Sequence, residues 1–357
     1  MERKMGEYLL ITLRSLPRPA RSCATMPAMQ KKSFFLLSIA ILLGAAALWA
    51  TWLSQATAGS KAGEQRAHQA VTQKPDITKT VQSREFNGER AYLDVIRQVA
   101  FGPRIPGTEG HARVIEYIQA ELKAAGWQSA VVADEFKGQA VKNIRAWRVE
   151  AEPVVLLGAH YDTRIYADDD PNPENHTLPV PGANDGASGV AVLLEIARAL
   201  PADSVPVELV FFDAEDNGRI EGWDWILGSS AYAASMQSRP KAVVIVDMIG
   251  DADLNIYLEH NSDPELMRQI WGVAHRLGYE HAFIPEYKYR VLDDHIPFIE
   301  KGLKAVDIID LDYPYWHTID DTPDKVSAQS LEIVGDTVLA WLAEYGTCLA
   351  QSNCNAE

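Results

Sequence analysis

Short apolar runs alternate with segments of helical periodicity over residues 86–346. Four runs rich in β-branched and aromatic residues are typical of buried strands, at 154–158, 207–212, 242–246 and 305–309. Two further strands are predicted at 130–133 and 141–148. Helices are predicted where apolar residues recur every three or four positions, at 114–122, 190–200, 263–277 and 331–345. This alternation predicts a single α/β domain, with a central mixed, mostly parallel sheet flanked by helices on both faces.

The N-terminal region has a different pattern. Residues 33–53 form one nearly uncharged apolar run that is long enough to span a bilayer. A basic leader at 1–32 orients its end to the cytoplasm, and a polar linker occupies 54–85. We therefore expect an exported, extracytoplasmic domain (periplasmic or at the cell surface), either anchored by a single membrane pass or released by signal cleavage. A buried core helix at 33–53 is the alternative.

Composition narrows the function further. The formal net charge of −16 argues against nucleic acid as a partner, because binding its phosphates requires a basic face. None of the three cysteines, Cys23, Cys348 and Cys354, lies near the candidate chemistry, which argues against a thiol nucleophile or a zinc–thiolate site. Cys348 and Cys354 fall in an expected tail at 347–357, where they either close a small loop or remain free thiols.

Imidazoles and carboxylates follow the predicted strands. His160 comes directly after the first buried run, Glu215 and Asp216 follow the second, and Asp247 follows the third. Asp185 lies in a turn of small residues that opens a helix. The carboxyl ends of parallel strands meet at one edge of a sheet, where open α/β folds build their sites. Imidazole and carboxylate ligands suit zinc, and one carboxylate is left over to act as a base.

Each of these residues also has a purely structural explanation. A histidine at a strand end is commonly only hydrogen-bonded, and Asp185 has the position of a helix N-cap. Adjacent acids can be caps or ion-pair partners, and the acidic loop 168–170 is expected to be solvated, with calcium binding as a minor alternative. These explanations are hard to sustain for the whole set, because its members fall on the same predicted edge of the sheet.

Aromatic residues accompany the polar ones. Trp223 and Trp225 follow the Glu215-Asp216 turn, and Trp316 precedes His317. Aromatic walls around a polar site suit a small side chain packed against a ring. We therefore expect a tryptophan-lined substrate pocket.

As a set, these motifs resemble the zinc aminopeptidase superfamily, which also contains the glutaminyl-peptide cyclotransferases. The resemblance spans about residues 90–345 and rests on five segments: His160-Tyr-Asp162, Asn184-Asp185-Gly-Ala-Ser-Gly189, Glu215-Asp216, Asp247 and Trp316-His317-Thr318. The segment Asp293-Asp294-His295-Ile-Pro-Phe298 is more similar to the cyclase branch. The resemblance implies the same mostly parallel sheet flanked by helices.

The resemblance also implies roles for individual residues. Asp185, Asp216 and His317 match the zinc ligands common to both branches, and Glu215 matches the catalytic acid/base. In the cyclase branch one zinc is kept, and Asp247 and Asp293 join the proton network of the base. In the two-zinc aminopeptidases, His160 and Asp247 hold a second ion, and Asp185 bridges the two.

Two positions depart from the cyclase pattern. Asp307, which we place in the substrate pocket, stands where animal cyclases carry a histidine, and Asp216 is one carbon shorter than the usual glutamate ligand. We expect a bacterial-type glutaminyl cyclase with one zinc, which acts on peptide or protein N-termini. A two-zinc aminopeptidase, in which Glu215 activates the hydrolytic water, is the alternative. A catalytically inactive receptor or scaffold ectodomain is disfavoured, because the acid, base and ligand set is intact.

Overall fold

The computed structural model describes residues 85–351 of the 357-residue chain. The basic leader, the apolar run at 33–53 and nearly all of the expected linker lie outside the described residues. Within 85–351, no helix has both the length and the hydropathy that a membrane span needs.

Six strands form the central sheet. They are β1 (Gln128–Phe136), β2 (Gln139–Trp147), β3 (Val155–His160), β4 (Val207–Phe212), β5 (Ala242–Asp247) and β8 (Ala305–Ile309), in the spatial order β1-β2-β4-β3-β5-β8. Strands β4, β3, β5 and β8 are parallel to one another. Strand β2 pairs antiparallel with β4, and β1 pairs antiparallel with β2 at the edge of the sheet. The predicted mixed, mostly parallel sheet is confirmed. A separate parallel pair consists of β6 (Ile256–Glu259) and β7 (Phe283–Tyr289).

Helices cover both faces of this sheet. They are α1 (Gly88–Val99), α2 (Glu109–Ala124), α3 (Ala187–Ala199), α4 (Leu227–Ser235), α5 (Pro264–Arg276), α6 (Ile296–Glu300) and α7 (Ala328–Gln351). Helices α1, α3, α5 and α7 contact one another over one face, while α4 contacts α6 on the other. Strand β3 is buried along its whole length, with Val155 and Leu157 in the larger apolar core and Leu156 in the smaller one. Successive side chains of a strand point to opposite faces of the sheet. Because helices cover both faces here, every residue of such a strand contacts an apolar core, and its sequence is continuously apolar.

Several boundaries differ from those expected. Strand β3 extends to His160, so this histidine is the last residue of the strand rather than the first residue after it. Helix α7 continues through residue 346 to Gln351, because Tyr345 and Leu349 still pack against the core. The expected tail at 347–357 therefore begins too early. Cys348, inside this helix, is disulfide-bonded, while Cys354 lies outside the described residues.

Candidate metal centre

The parallel strands bring the candidate residues to one edge. His160 ends β3 and lies opposite Phe212, the last residue of β4, so the turn after β4 begins beside it. Asp247 ends β5 in the same way. Three residues at this edge have left-handed backbone: Ala214 before Glu215, Met248 after Asp247, and His317 itself, with φ of 53°, 48° and 55°. Such conformations cost about 1–3 kcal/mol each and cluster at functional sites.

Asp185, Asp216 and His317 form one candidate metal group. Nε2 of His317 lies 2.8 Å from Oδ1 of Asp216 and 3.8 Å from Oδ2 of Asp185. All three side chains are buried, and each offers a ligand atom within 4.8 Å of the other two. The structure thus brings together the residues that the resemblance implies as zinc ligands of both branches.

His160, Asp185 and Asp247 form a second group that shares Asp185 with the first. Nε2 of His160 lies 3.0 Å from Oδ1 of Asp247 and 3.2 Å from Oδ1 of Asp185. Burial lowers the pKa of His160, but the three acids Asp247, Asp162 and Asp185 outweigh it and raise the pKa well above the usual value. Burial raises the pKa of Asp185, and the two histidines reverse this and lower it.

A divalent cation fits this donor set. Oδ2 of Asp185 and Oδ2 of Asp216 are buried and have no hydrogen-bond partner within the described part of the chain. Burial and the charge of Asp185 raise the pKa of Asp216 to about 6, against the lowering effect of His317 and Arg164. Because buried unpaired carboxylates are costly, a bound metal ion would relieve both the repulsion and the missing partners.

Asp162 holds the turn that carries the proposed base. Its Oδ1 accepts the backbone N–H of Glu215 at 3.0 Å, and its Oδ2 accepts a longer bond of 3.4 Å from the N–H of Asp216. The same Oδ1 lies 3.5 Å from Nδ1 of His160. Asp162 is therefore placed to orient both a candidate ligand and the catalytic turn.

Asp321 and Arg104 were not found from the sequence. Asp321 accepts the backbone N–H groups of Asn184 and Asp185 at 2.8 and 3.1 Å, which fixes the turn that presents the shared ligand. Arg104 is fully buried and donates to the carbonyls of Tyr161, Pro181 and Gly182. Burial lowers its pKa to about 10, against the raising effect of four surrounding acids. For Asp321, the sequence did offer one signal, the acid pair Asp320-Asp321 shortly after His317.

Asp185 is not the cap of α3. The N-cap is Gly186, with φ of 99°, and no side chain caps this helix. A Cβ at Gly186 would lie 2.5 Å from the carbonyl oxygen of Asp162. The glycine therefore permits a close approach of two backbones and leaves the carboxylate of Asp185 free for the site.

Glu215 belongs to a cluster of buried acids. Burial raises the pKa of Glu215 well above the ordinary value, and the charges of Asp293, Asp216 and Asp294 raise it further, against the lowering effect of His160. Burial likewise raises the pKa of Asp247 to about 7, with Asp293 adding to it. These neighbouring carboxyls favour states in which they share protons.

Asp307 adjoins this cluster of buried acids. It is fully buried within β8, and burial together with Asp293 and Asp247 raises its pKa well above the ordinary value. Asp293, His295 and Asp307 form a third group of mutually close ligand atoms. The expectation that Asp307 belongs to the substrate pocket stays a prediction.

The tryptophans divide into two sets. The ring of Trp316 stacks on His317 at a centroid distance of 3.7 Å, and Trp225 stacks on the same imidazole at 5.9 Å. Trp223 instead packs against the small apolar cluster of Val141, Ala214, Leu227 and Ala231. The structure therefore places Trp225 and Trp316 against the proposed ligand His317 and Trp223 against this apolar cluster, and their role as pocket walls stays a prediction.

The acidic loop 168–170 is exposed to solvent at Asp168 and Asp169, as expected, whereas Asp170 is buried. Arg164 donates from Nε and Nη2 to the carboxylate of Asp168 at 2.6 Å, and from Nη1 to the carbonyl of Asp216 at 2.8 Å. Asp170 is buried and accepts the backbone N–H of Ile319. The loop is thus tied to both the Asp216 turn and the His317 segment.

Comparisons with known proteins agree with this geometry. The profile of Peptidase family M28 matches residues 143–342. The glutaminyl-peptide cyclotransferase-like protein of Bos taurus is 25% identical over 286 residues, which cover 68% of this chain and 72% of that protein.

Two solved structures are similar over nearly their whole length. The glutaminyl cyclase of Tannerella forsythia is 36% identical, with a TM-score of 0.68, and the match covers 72% of this chain and 99% of that one. A leucine aminopeptidase precursor from Bacteroides thetaiotaomicron is 32% identical, with a TM-score of 0.69 and coverage of 74% and 99%. Both the family match and these similarities show that the chain belongs to peptidase family M28.

Proposed function

We propose that the chain is a glutaminyl-peptide cyclotransferase, which converts an N-terminal glutamine to pyroglutamate and releases ammonia. The observation that carries the proposal is the buried acid cluster around Glu215, in which Asp293 lies close enough to Asp247 and Glu215 to raise the pKa of both. The resemblance assigns this additional acid to the cyclase branch. Similarity to several bacterial glutaminyl cyclases supports the same assignment.

Family M28 is zinc-dependent, and buried histidine and aspartate groups here could bind the metal. In the proposed enzyme, Asp185, Asp216 and His317 hold one zinc ion. When bound, the zinc supplies Lewis acidity that polarises the γ-carbonyl of the substrate glutamine. The stacked rings of Trp225 and Trp316 hold His317 in place and form a wall for the short amide side chain.

Glu215 moves the proton in this mechanism. The α-amine of the substrate attacks its own γ-carbonyl carbon, so a carbon–nitrogen bond forms and the bond to the amide nitrogen breaks. Glu215 accepts the proton that the amine loses and delivers it to the departing ammonia. Since nucleophile and electrophile belong to one residue, the site gains mainly by holding them in the geometry of attack.

Asp247 and Asp293 share the proton network of Glu215. The charge of Asp293 raises the pKa of both Glu215 and Asp247, so these carboxyls do not titrate independently. This coupling lets the cluster hold the proton taken from the amine until ammonia leaves. Neither acid needs to contact the substrate for this role.

The second candidate function is a two-zinc aminopeptidase. It is favoured by the group of His160, Asp185 and Asp247, which supplies a complete second ligand set around the shared Asp185. Glu215 would then activate the water that hydrolyses the first peptide bond.

We also propose that this enzyme works outside the cytoplasm. The proposal rests on the basic leader and the apolar run at 33–53, which are typical of a membrane anchor or signal peptide. The polar stretch at 54–85 would separate the catalytic domain from the membrane.

The proposed function predicts the product. The purified protein should convert a peptide with N-terminal glutamine to a pyroglutamyl peptide, with a mass decrease of one ammonia, and leave a matched peptide with N-terminal leucine intact. Mass spectrometry of both incubations measures this. Release of free leucine without pyroglutamate would favour the aminopeptidase instead.

A further inference from the structure

Glu259 and His295 form a buried polar pair that the mechanism above does not use. Glu259 ends β6, outside the central sheet, and His295 immediately precedes α6. The two side chains are 1% and 0% exposed. Because burying two ionisable groups is costly, their contacts require an explanation.

Glu259 is held as an anion by four donors. Its Oε2 accepts the backbone N–H of Asn261 at 2.8 Å, and both the N–H and the hydroxyl of Ser262 at 2.7 and 2.9 Å. Its Oε1 accepts the N–H of Val291 at 3.0 Å. Burial raises the pKa of Glu259, but His295 and the backbone donors outweigh it and lower the pKa to about 2.

His295 lies between this carboxylate and the acid cluster. Its Nε2 is 3.3 Å from Oε2 of Glu259, and its Nδ1 is 3.6 Å from Oδ2 of Asp307; both are ion-pair distances, and neither contact has the geometry of a hydrogen bond. A ring nitrogen that faces a permanent carboxylate carries a proton, so Nε2 is assigned as the N–H. Nδ1 is then directed to Asp307, with Asp293 as the other acid of the same group.

Ser262 connects the pair to Asp307 a second time. Its hydroxyl donates to Glu259 and accepts the backbone N–H of Asp307 at 3.0 Å. One short segment, from Glu259 to Ser262, therefore fixes both the histidine ring and the backbone of the aspartate that the ring faces.

We propose that Glu259 and His295 are positioning residues for the reaction: Glu259 fixes the ring of His295, whose Nδ1 orients the carboxyl of Asp307 against Asp293. Asp293 is in turn the acid that adjoins Glu215. Glu259 and His295 thereby control the arrangement of Asp307 and Asp293 in the proton network, without contact to substrate or metal. The expected effect on the reaction rate rests on the proposed cyclase function. The expected position of the proton on the His295 ring does not.

Kinetics of two variants of the full chain test the effect on the reaction. His295→Gln and Glu259→Gln should each lower kcat on a Gln-peptide by about 10- to 100-fold, the range seen when outer partners of a metal centre are removed. KM and zinc content should change little, because neither residue is placed at the substrate or among the proposed zinc ligands. Tm should fall in both variants, because each change breaks a buried polar pair. The exposed neighbour His260→Gln is the matched control and should keep its kcat within about twofold. Unchanged kcat in both folded variants would overturn the proposal.

NMR of the wild-type chain with ¹⁵N-labelled imidazoles tests the geometry independently of activity and of whether either variant folds. We expect a slowly exchanging N–H on Nε2 of a buried ring, since Glu259 shields it from solvent. A His295 ring with the proton on Nδ1 alone would overturn the proposal. Loss of one metal ion from His295→Gln would also overturn it, since it would show that Asp293, His295 and Asp307 form a metal centre. If the wild type makes no pyroglutamate, the proposed function fails, and the NMR result still decides the geometry.

Discussion

At the scale of single residues, the candidate centre combines strained backbone with carboxylates short of compensating charge. Ala214, Met248 and His317 hold left-handed conformations that nothing in their side chains favours. Each lies at or beside a residue that the proposed reaction uses. The fold must therefore over-determine these conformations, and it does so through hydrogen bonds such as those that the backbone N–H groups of Glu215 and Asp216 donate to the carboxylate of Asp162.

The first prediction concerns Glu215. Glu215→Gln should keep the fold and the zinc but lower turnover of a Gln-peptide by about 10²- to 10⁴-fold, because an amide cannot accept the amine proton. Glu221→Gln, an exposed change six positions away, is the control. Steady-state kinetics and elemental analysis are the measurements. If Glu215→Gln instead loses zinc while it stays folded, the roles of Glu215 and Asp216 are reversed.

The residues found from the sequence share one property: they sit in motifs whose spacing carries chemistry. The resemblance to the zinc aminopeptidase superfamily implied Asp185, Asp216 and His317 as ligands, and the structure places them together. Arg104 and Asp321 were missed because their contacts are with backbone groups far away in the chain. A side chain that binds a carbonyl or an N–H leaves no partner residue type in the sequence to indicate it.

At the scale of elements, close packing of α3 against the sheet sets the position of the site. Every residue of this helix except Arg198 is buried, so the helix is apolar nearly all round and its start could not be located from periodicity. Buried central strands were predicted well because they are continuously apolar. The strands β6 and β7 were missed, since β7 is largely exposed and polar on both faces. The pairing of Glu259 with His295 therefore could not be anticipated.

Gly189 lies where α3 packs closely against strands β3 and β5 of the sheet, and it provides the second prediction. A Cβ there would lie 2.4 Å from the carbonyl oxygen of Val246 and 2.9 Å from Cβ of Ala159. Gly189→Ala should therefore lower the free energy of unfolding by about 1–3 kcal/mol through overpacking, despite the better helix propensity of alanine. Chemical denaturation measures this difference.

Gly272→Ala, within α5, is the matched control. Its added Cβ would meet only Nη1 of Arg276 at 3.5 Å, which is ordinary contact. This variant should be more stable than wild type by about 0.5–1 kcal/mol, the usual gain of alanine over glycine within a helix. Equal stability of the two variants would contradict the close packing of α3 on the sheet.

At the scale of the whole molecule, many of the acidic residues are buried in the interior rather than exposed on the surface. Three candidate metal groups are buried side by side within the described residues, with Arg104 and Arg164 among the few buried cations near them. The sequence composition determines the net charge, but it does not tell which acidic residues are buried. Only the fold determines which of them lie together at one edge of the sheet. A chain built in this way should depend on a bound cation for stability as well as for catalysis.

The third prediction is that the full chain binds about one zinc ion per molecule and binds it more weakly on acidification. Ligands must be ionised to bind, and burial raises the pKa of Asp216 to about 6, so protons compete with the metal as the pH falls through 6. Equilibrium dialysis against graded zinc concentrations at pH 8 and pH 5, followed by elemental analysis, should show an apparent affinity about tenfold lower at pH 5, the effect of protonating one such ligand. Chelation at pH 8 should lower Tm by an amount on the order of 10 °C, because removal of a tightly bound ion costs about 4 kcal/mol at a thousandfold excess over Kd. Two equally tight zinc ions at pH 8 would instead favour the aminopeptidase, with His160 and Asp247 as the additional ligands. An apparent zinc affinity that is the same at pH 8 and pH 5 would contradict a ligand that titrates near pH 6 in the metal-free protein.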